Sequence, residues 1–372
     1  MSMSRSLNLR PWIVVTALCL LYVAFIIVHN NGNPLALVTI GTRFSEGITD
    51  GTEGYDGQFV YYIARDPSSA AQYQDVPAYR FQRILLPILG RVLAFEQESL
   101  IPWTLLLINL ISLASGTWIL EQLLIQQKVS RWYALSYGLT VGIFASVRLS
   151  LSEPLAYALV LGGVFLIQRE RWGWSAIVFA LAALAKETTL FFVAGYGLYL
   201  LVSGRWLRAV LFGVIALIPF LIWQIIMRSV LGSFGVGSGG ALATSFEIIP
   251  FVGVIRILTD TPPQSRPGII AIFSAILIPF VIVPTLWGLW RCWVDLRKHT
   301  WTAYTWLVFA NAAIMPFVPF STYREPLGIL RFIVGLQIAI ILYAAERHQT
   351  RALRNSTIWI VTVLFAFSLL QA

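Results

Sequence analysis

Carboxylates that could activate a hydroxyl group lie close together in the segment 49–57. Three acidic residues alternate there with three glycines, and Asp56 is the last of the acids. The residues that follow, 58–65, repeat apolar side chains at helical spacing. A carboxylate in front of such a helix can serve as a general base that removes the proton of an acceptor hydroxyl. It can also be an ordinary N-cap, and one residue can have both roles.

Arginines that could hold a phosphate follow in the segment 79–95. Arg80, Arg83 and Arg91 fall within a narrow arc of a helix at about 100° per residue, and apolar residues fill the opposite side. The apolar part is short for a span, so we predict a basic amphipathic helix in the membrane interface. Guanidinium groups at that depth can bind a lipid phosphate through paired hydrogen bonds. General anchoring to lipid headgroups is the alternative.

Further charged residues are predicted near the same membrane face. Arg148 and Glu153 flank a tight connection, in which Glu153 can also simply stabilise the start of the next helix. Lys186 and Glu187 interrupt an apolar run, where they mark a functional position or a lysine that extends toward the membrane surface.

The strongest single indication is Arg331, because it lies about one turn inside an apolar stretch and should face the helix bundle rather than lipid. Arg324 precedes it by seven residues, so the two share a helix face if that helix continues through Pro326. Such a pair would suit an anionic headgroup. The alternative is an ion pair of Arg331 with Glu325 or Glu187.

Membrane helices must position these residues, because the chain is far too apolar for a soluble fold. Hydrophobic residues make up 58% of its 372 residues, charged residues 12%, and the mean hydropathy is +0.77. About eleven apolar stretches are candidates for spans. They cover residues 11–28, 100–124, 132–147, 153–168, 172–185, 188–203, 207–228, 268–290, 301–320, 327–344 and 356–372. We therefore predict an all-α polytopic membrane protein with one transmembrane domain over residues 1–372.

The distribution of basic residues predicts the orientation. A cytoplasmic N-terminus places most short Arg- and Lys-rich connections inside, as the positive-inside rule expects. The candidate site then faces the extracytoplasmic side of a cytoplasmic (inner) membrane. Two long outer loops result: residues 29–99, with two amphipathic helices, and residues 230–266, whose glycines suit either a lid or a plain connector.

Several cofactors and partners are disfavoured by the sequence. No His or Cys pair has the spacing of a metal site, and no glycine-rich nucleotide loop is present. We predict no cofactor, although carboxylates could still hold a divalent metal, so metal dependence is open. The net charge of +9 follows from membrane topology, and we do not expect binding to nucleic acid.

Three short motifs carry a resemblance to a known family. The chain resembles a family of bacterial multi-spanning proteins assigned to cell-surface glycopolymer formation, and it is similar to membrane glycosyltransferases of the C superfamily (GT-C), which use polyprenyl-phosphate-linked sugars. The motifs are Tyr55-Asp56-Gly57-Gln58-Phe59, Tyr79-Arg80-Phe81-Gln82-Arg83 and Lys186-Glu187-Thr188. The Asp-Asp or Asp-Glu pair of some members is absent, because Asp56 stands between Tyr55 and Gly57.

The resemblance implies a role for each candidate residue. Asp56 would be the catalytic base, and the segments 58–65 and 79–95 would be the membrane-surface helices of the first outer loop. The donor phosphate would be held by Arg80, Arg83, Lys186, Arg324 and Arg331. Supporting roles would fall to Tyr55, Gln58, Arg148, Glu153 and Glu187.

The leading hypothesis is therefore transfer of a sugar from a polyprenyl phosphate to a glycan, lipid or protein acceptor outside the membrane. Direct displacement would invert the anomeric centre. A transporter or flippase of lipid-linked sugars would need similar arginines, but no internal repeat with paired broken helices is evident. A polymerase of surface polysaccharides is the third alternative, and its donor would carry an oligosaccharide.

Overall fold

The computed structural model describes residues 9–260 and 266–368, and every regular element in those ranges is helical. The α-helices of five residues or more are, in chain order, α1 (Pro11–His29), α2 (Gly57–Arg65), α3 (Pro77–Phe81), α4 (Leu85–Leu93), α5 (Ile101–Gln126), α6 (Val141–Arg148), α7 (Glu153–Gln168), α8 (Trp172–Ala185), α9 (Leu190–Val202), α10 (Trp206–Leu231), α11 (Val252–Thr259), α12 (Arg266–Leu277), α13 (Val283–Arg297), α14 (Ala303–Ala313), α15 (Phe320–Arg324), α16 (Pro326–Phe332), α17 (Val334–Glu346) and α18 (Thr350–Ser356).

Proline and glycine mark the ends of several helices. Pro11, Pro77 and Pro326 are the first residues of α1, α3 and α16. Proline suits this position because the first turn has no partner for its N–H and its fixed φ is helical. After α10, Gly232 adopts φ 76°, a left-handed conformation that ends helices and that glycine takes without strain.

Apolar helices long enough to cross a membrane form the frame of the molecule. By length and composition they are Pro11–His29, Glu98–Gln126, Trp206–Leu231 and Ile270–Arg297. The pair α16 and α17, bent by 42° at a short break, is a fifth candidate. An α-helical chain with apolar helices of membrane-spanning length is therefore confirmed.

The prediction of about eleven spans is not confirmed. Helix α7 has 16 residues, so it rises about 24 Å, whereas the hydrocarbon core is roughly 30 Å thick. The predicted span 132–147 is broken, because Thr140 is extended between a four-residue helix and α6. The predicted span 356–372 consists of single turns as far as residue 368, and residues 369–372 lie outside the described residues.

The first loop, residues 29–99, has its own core. Its helix α2 follows Asp56 directly, whereas the segment 79–95 forms two helices, α3 and α4, rather than the single one predicted. Pro87 explains the break, because it lacks the N–H that would continue the helix from residue 83. Tyr62, Leu86 and Leu105 belong to one buried cluster that joins this loop to α5. The cluster fixes the backbone around the candidate residues.

Helix α2 begins against the connection between α6 and α7. A Cβ atom at Gly57 would lie 2.1 Å from the carbonyl oxygen of Leu149, so only glycine fits this contact. Asn109 of α5 donates a hydrogen bond to the carbonyl of Leu151, 2.9 Å away. The two contacts hold Asp56 near the start of α7, where Glu153 lies.

Candidate functional site

Asp56 is bound by two arginines that are distant from each other in the sequence. Its Oδ1 accepts a hydrogen bond from Arg80 Nη1 at 2.9 Å, and its Oδ2 accepts one from Arg331 Nη1 at 3.0 Å. Asp56 does occupy the position before the first residue of α2, but its backbone angles are helical and its side chain makes no capping hydrogen bond. The carboxylate is directed at the two guanidinium groups instead.

Arg80 is also fixed by Asp75, a residue that the sequence reasoning missed. Arg80 Nε and Nη2 donate to the two oxygens of Asp75 at 2.7 and 2.8 Å. The Arg80 guanidinium lies 4.2 Å from the centre of the Phe59 ring, a cation–π contact. The sequence does offer one signal for Asp75: it is an acidic residue two positions before Pro77, and a proline is typical of the first residue of a helix.

Arg331 and Lys186 share the carboxylate of Glu153. Arg331 Nε lies 2.7 Å and Lys186 Nζ 2.6 Å from the same oxygen, Oε1. All three side chains are buried. Lys186 therefore does not extend to the surface, and Glu153 does more than stabilise a helix start.

Arg83 forms a two-bond pair with Glu187. The Arg83 Nε–Glu187 Oε2 distance is 2.9 Å and the Nη2–Oε1 distance is 2.6 Å. The alternative pairing of Arg331 with Glu187 or Glu325 is thus wrong. Glu325 instead accepts a hydrogen bond from the hydroxyl of Tyr55 at 3.1 Å, and Tyr55 also accepts one from Arg331.

Arg324, Gln58 and Arg148 lie apart from these ion pairs. Arg324 is exposed and contacts the Phe320 ring, because Glu325 is extended and separates α15 from α16. The expected shared face with Arg331 is therefore absent. Buried Gln58 ties the backbone of the first loop together through Gly41 N and Glu53 O. Arg148 is buried, and within residues 9–260 and 266–368 it has no carboxylate partner; its Nη1 donates to Thr39 Oγ1 at 2.7 Å.

The residues that the structure brings together contain equal numbers of positive and negative charges. We call them the Asp56 cluster: Asp56, Asp75, Glu153, Glu187, Arg80, Arg83, Lys186 and Arg331. Burial of Asp56 opposes its ionisation, but the charges of Arg80 and Arg331 outweigh burial and hold the pKa of its carboxyl well below the ordinary value of 3.8. Asp56 is therefore ionised in this setting, and the cluster pairs four acidic with four basic side chains.

A small cavity lies within the Asp56 cluster. Its volume is about 20 Å³, and its lining includes Asp56, Arg80, Arg83, Glu153 and Arg331. This is room for about one water molecule. A wider, open depression of about 410 Å³ lies at residues 170–174, beyond the other end of α7, and no ion pair lies there among the described residues.

The second long loop, although distant in the sequence, also contacts the Asp56 cluster. Ala241 N donates a hydrogen bond to Asp75 Oδ2 at 3.1 Å. A Cβ atom at Gly240 would lie 3.2 Å from Arg80 Nη2. Of the loop predicted at 230–266, residues 261–265 lie outside the described residues. The described part covers the Asp75–Arg80 pair.

Potential metal ligands are dispersed in the part of the chain that the structure describes. No three His, Cys, Asp or Glu residues in those ranges lie close enough to hold a metal ion. The carboxylates of the Asp56 cluster each bind a basic side chain instead.

No protein-family model matches this chain, and no match was found among curated proteins or among solved structures.

Proposed function

We propose that this protein is a GT-C-like glycosyltransferase that moves a sugar from a polyprenyl phosphate to an acceptor hydroxyl on the extracytoplasmic side of a bacterial cytoplasmic membrane. The observation that carries the proposal is the convergence of Arg80 and Arg331 on Asp56, beside a cavity within an apolar helical frame. A possible base and the cations for a leaving phosphate thus lie within hydrogen-bond distance of each other.

The reaction needs one base and one anion site. The acceptor oxygen attacks the anomeric carbon, its proton passes to the Asp56 carboxylate, and the bond from that carbon to the phosphate oxygen breaks. The phosphate leaves with the electron pair, and Arg80, Arg83, Lys186 and Arg331 are placed to neutralise it. Attack from the face opposite the phosphate inverts the configuration of the anomeric centre. The acceptor is a glycan, lipid or protein.

Substitution of the proposed base tests this function directly. In vesicles that contain the purified protein and a radiolabelled polyprenyl-phosphate sugar, Asp56→Asn should lower transfer about 10²–10⁴-fold. Asp50→Asn is the matched control, because Asp50 is an exposed aspartate of the same loop. Retained turnover in Asp56→Asn would reject Asp56 as the base.

The same vesicles separate transfer from transport and polymerisation. A transferase forms a new glycosidic bond to an added acceptor. A flippase would move the labelled donor to the other leaflet without forming any bond. A polymerase would require a donor that carries an oligosaccharide rather than one sugar.

A further inference from the structure

The carboxylate of Asp56 binds the two arginines as a phosphate group would. Each of its oxygens accepts a hydrogen bond from one guanidinium group, at 2.9 Å from Arg80 and 3.0 Å from Arg331. Two oxygens of a phosphodiester can make the same pair of charge-assisted bonds. Asp56 therefore supplies an anion from the protein itself at the position where the donor phosphate is proposed to bind.

The two arginines are held in place by other carboxylates. Arg80 directs Nε and Nη2 to Asp75, and only Nη1 to Asp56. Arg331 directs Nε to Glu153, and Nη1 to Asp56. Removal of the Asp56 side chain would leave both guanidinium groups oriented by these remaining bonds. The anion site is thus preorganised independently of Asp56.

The size of the cavity and the exposure of the side chains indicate that Asp56 is the carboxylate of the cluster that can move. The adjoining cavity of about 20 Å³ cannot hold a phosphate while the carboxylate occupies the arginines. The Asp56 side chain is 30% exposed, whereas those of Asp75 and Glu153 are 7% and 1% exposed. A side chain with an open face can swing away without unpacking the core.

We propose that Asp56 competes with the donor phosphate for Arg80 and Arg331 and that binding of the donor displaces Asp56 from both arginines. This inference rests on the proposed function and extends it, because it makes the strength of the base depend on the presence of the donor. Paired with two arginines, the carboxylate is a weak base. Displaced by a phosphate, it is released to the acceptor.

The charges around Asp56 give the sign of this coupling. The titratable and charged groups that face it come from its own segment, from α3 and the turns on either side of it, from the start of α7, and from α16 and the residue before it. They are Tyr55, Asp75, Arg80, Arg83, Glu153, Glu325 and Arg331. A bound phosphodiester adds one negative charge and takes over the two nearest cations. Both changes disfavour the ionised carboxylate, so the pKa of Asp56 rises toward and above its ordinary value. Binding of the anion and binding of a proton then favour each other.

Calorimetry with a phosphodiester probe tests the displacement. The probe is farnesyl methyl phosphate, which carries one negative charge throughout the pH range used, and dimethyl phosphate shows whether the lipid chain is needed. Titrations in buffers of different ionisation enthalpy, from pH 8 to pH 5, report the protons taken up. We expect no uptake at pH 8 and an uptake that grows as the pH falls to 5.

Asp56→Asn should change binding in the direction opposite to its effect on turnover. Without the competing carboxylate, the probe should bind about tenfold tighter or more, and the proton uptake should disappear. Asp50→Asn should match the wild-type protein in both measurements. Wild-type binding without proton uptake at any pH, or unchanged affinity in Asp56→Asn, would overturn the displacement.

The two proposals fail in distinguishable ways. Loss of transfer in Asp56→Asn with unchanged probe affinity leaves the base in place and rejects the displacement. Tighter binding with retained transfer supports the displacement and rejects the base. The wild-type proton uptake needs no variant, so it decides the question even if Asp56→Asn does not fold.

Discussion

Two buried glutamates at opposite ends of the helical frame differ in the surroundings of their cations. Glu153, in the Asp56 cluster, binds Lys186 and Arg331, whose side chains are 6% and 7% exposed. Glu121 pairs with Arg10 and Arg131, whose side chains are 33% and 31% exposed. It lies twenty residues after the start of α5, which places it about 30 Å from the first loop.

The difference lies in how far the ions are desolvated. Around Glu121 the two arginines remain partly exposed, so the carboxylate is the only one of the three ions that is fully buried. Around Glu153 all three ions are buried, which costs several kcal/mol for each ion before their attraction is counted. Charges kept at such a cost in an apolar frame are a reason to propose a functional site. The Asp56 cluster, not the Glu121 pair, is therefore where we expect chemistry.

Replacing Glu153 or Glu121 by glutamine should give the largest difference in stability between the two regions. Glu153→Gln leaves Lys186 and Arg331 buried beside an uncharged side chain, and we expect it to lower the free energy of unfolding by about 3–5 kcal/mol. Glu121→Gln is the matched change, and it should cost at most about 1 kcal/mol because its arginines can rehydrate. Unfolding in sodium dodecyl sulfate measures both. Equal losses would remove the distinction between the two regions.

Two glycine substitutions test whether the position of the backbone next to Asp56 matters for transfer. Gly57→Ala places a Cβ against the carbonyl of Leu149 and must shift the backbone next to Asp56. A displacement of about 1 Å would lower the transfer rate about 100-fold. Gly197→Ala, in α9, meets nothing within 4 Å and should leave the rate unchanged. An active Gly57→Ala protein would show that the site tolerates movement of Asp56.

Much of the Asp56 cluster could be predicted from the sequence because charge is rare in this chain. Arg80, Arg83, Lys186 and Arg331 stand close to apolar neighbours, and Asp56 ends an acidic, glycine-rich segment. The structure brings all five together. Their partners could not be read in the same way. An ion pair between residues 56 and 331 depends on how whole helices pack against each other. The spacing of charges within one segment carries no information about that packing.

The wrong expectations have local causes. Arg324 and Arg331 share a face only if one helix contains both, and the extended backbone at Glu325 before Pro326 prevents this. The runs 132–147 and 356–372 are as apolar as real spans, but apolarity does not distinguish one long buried helix from several short ones. The fold class was therefore predictable, and the number of spans was not.

Acid should weaken the Asp56 ion pairs only at low pH. Because the folded pKa of Asp56 lies below the ordinary 3.8, its pairs contribute their full stability above that value and lose it as the pH falls further. The difference in melting temperature between the wild-type protein and Asp56→Asn, both without ligand, should stay constant from pH 8 to pH 5 and shrink below about pH 4. A difference that already shrinks between pH 6 and pH 5 would mean that the arginines do not hold the carboxylate.

The smallest effect is expected for an exposed pair in the same loop. Arg43 Nη1 lies 2.7 Å from Glu53 Oε1, as close as the pair of Arg331 with Glu153, but the two side chains are 44% and 61% exposed. Water and salt screen such a pair, so Glu53→Gln should change the free energy of unfolding by less than about 1 kcal/mol. Measured in the same detergent series, Glu53→Gln, Glu121→Gln and Glu153→Gln remove glutamates whose closest cation distances differ by at most 0.3 Å. A clearly larger loss for Glu153→Gln than for the other two variants is the result expected if buried cations make the difference, whereas three equal losses would refute the argument that desolvated charge identifies the site.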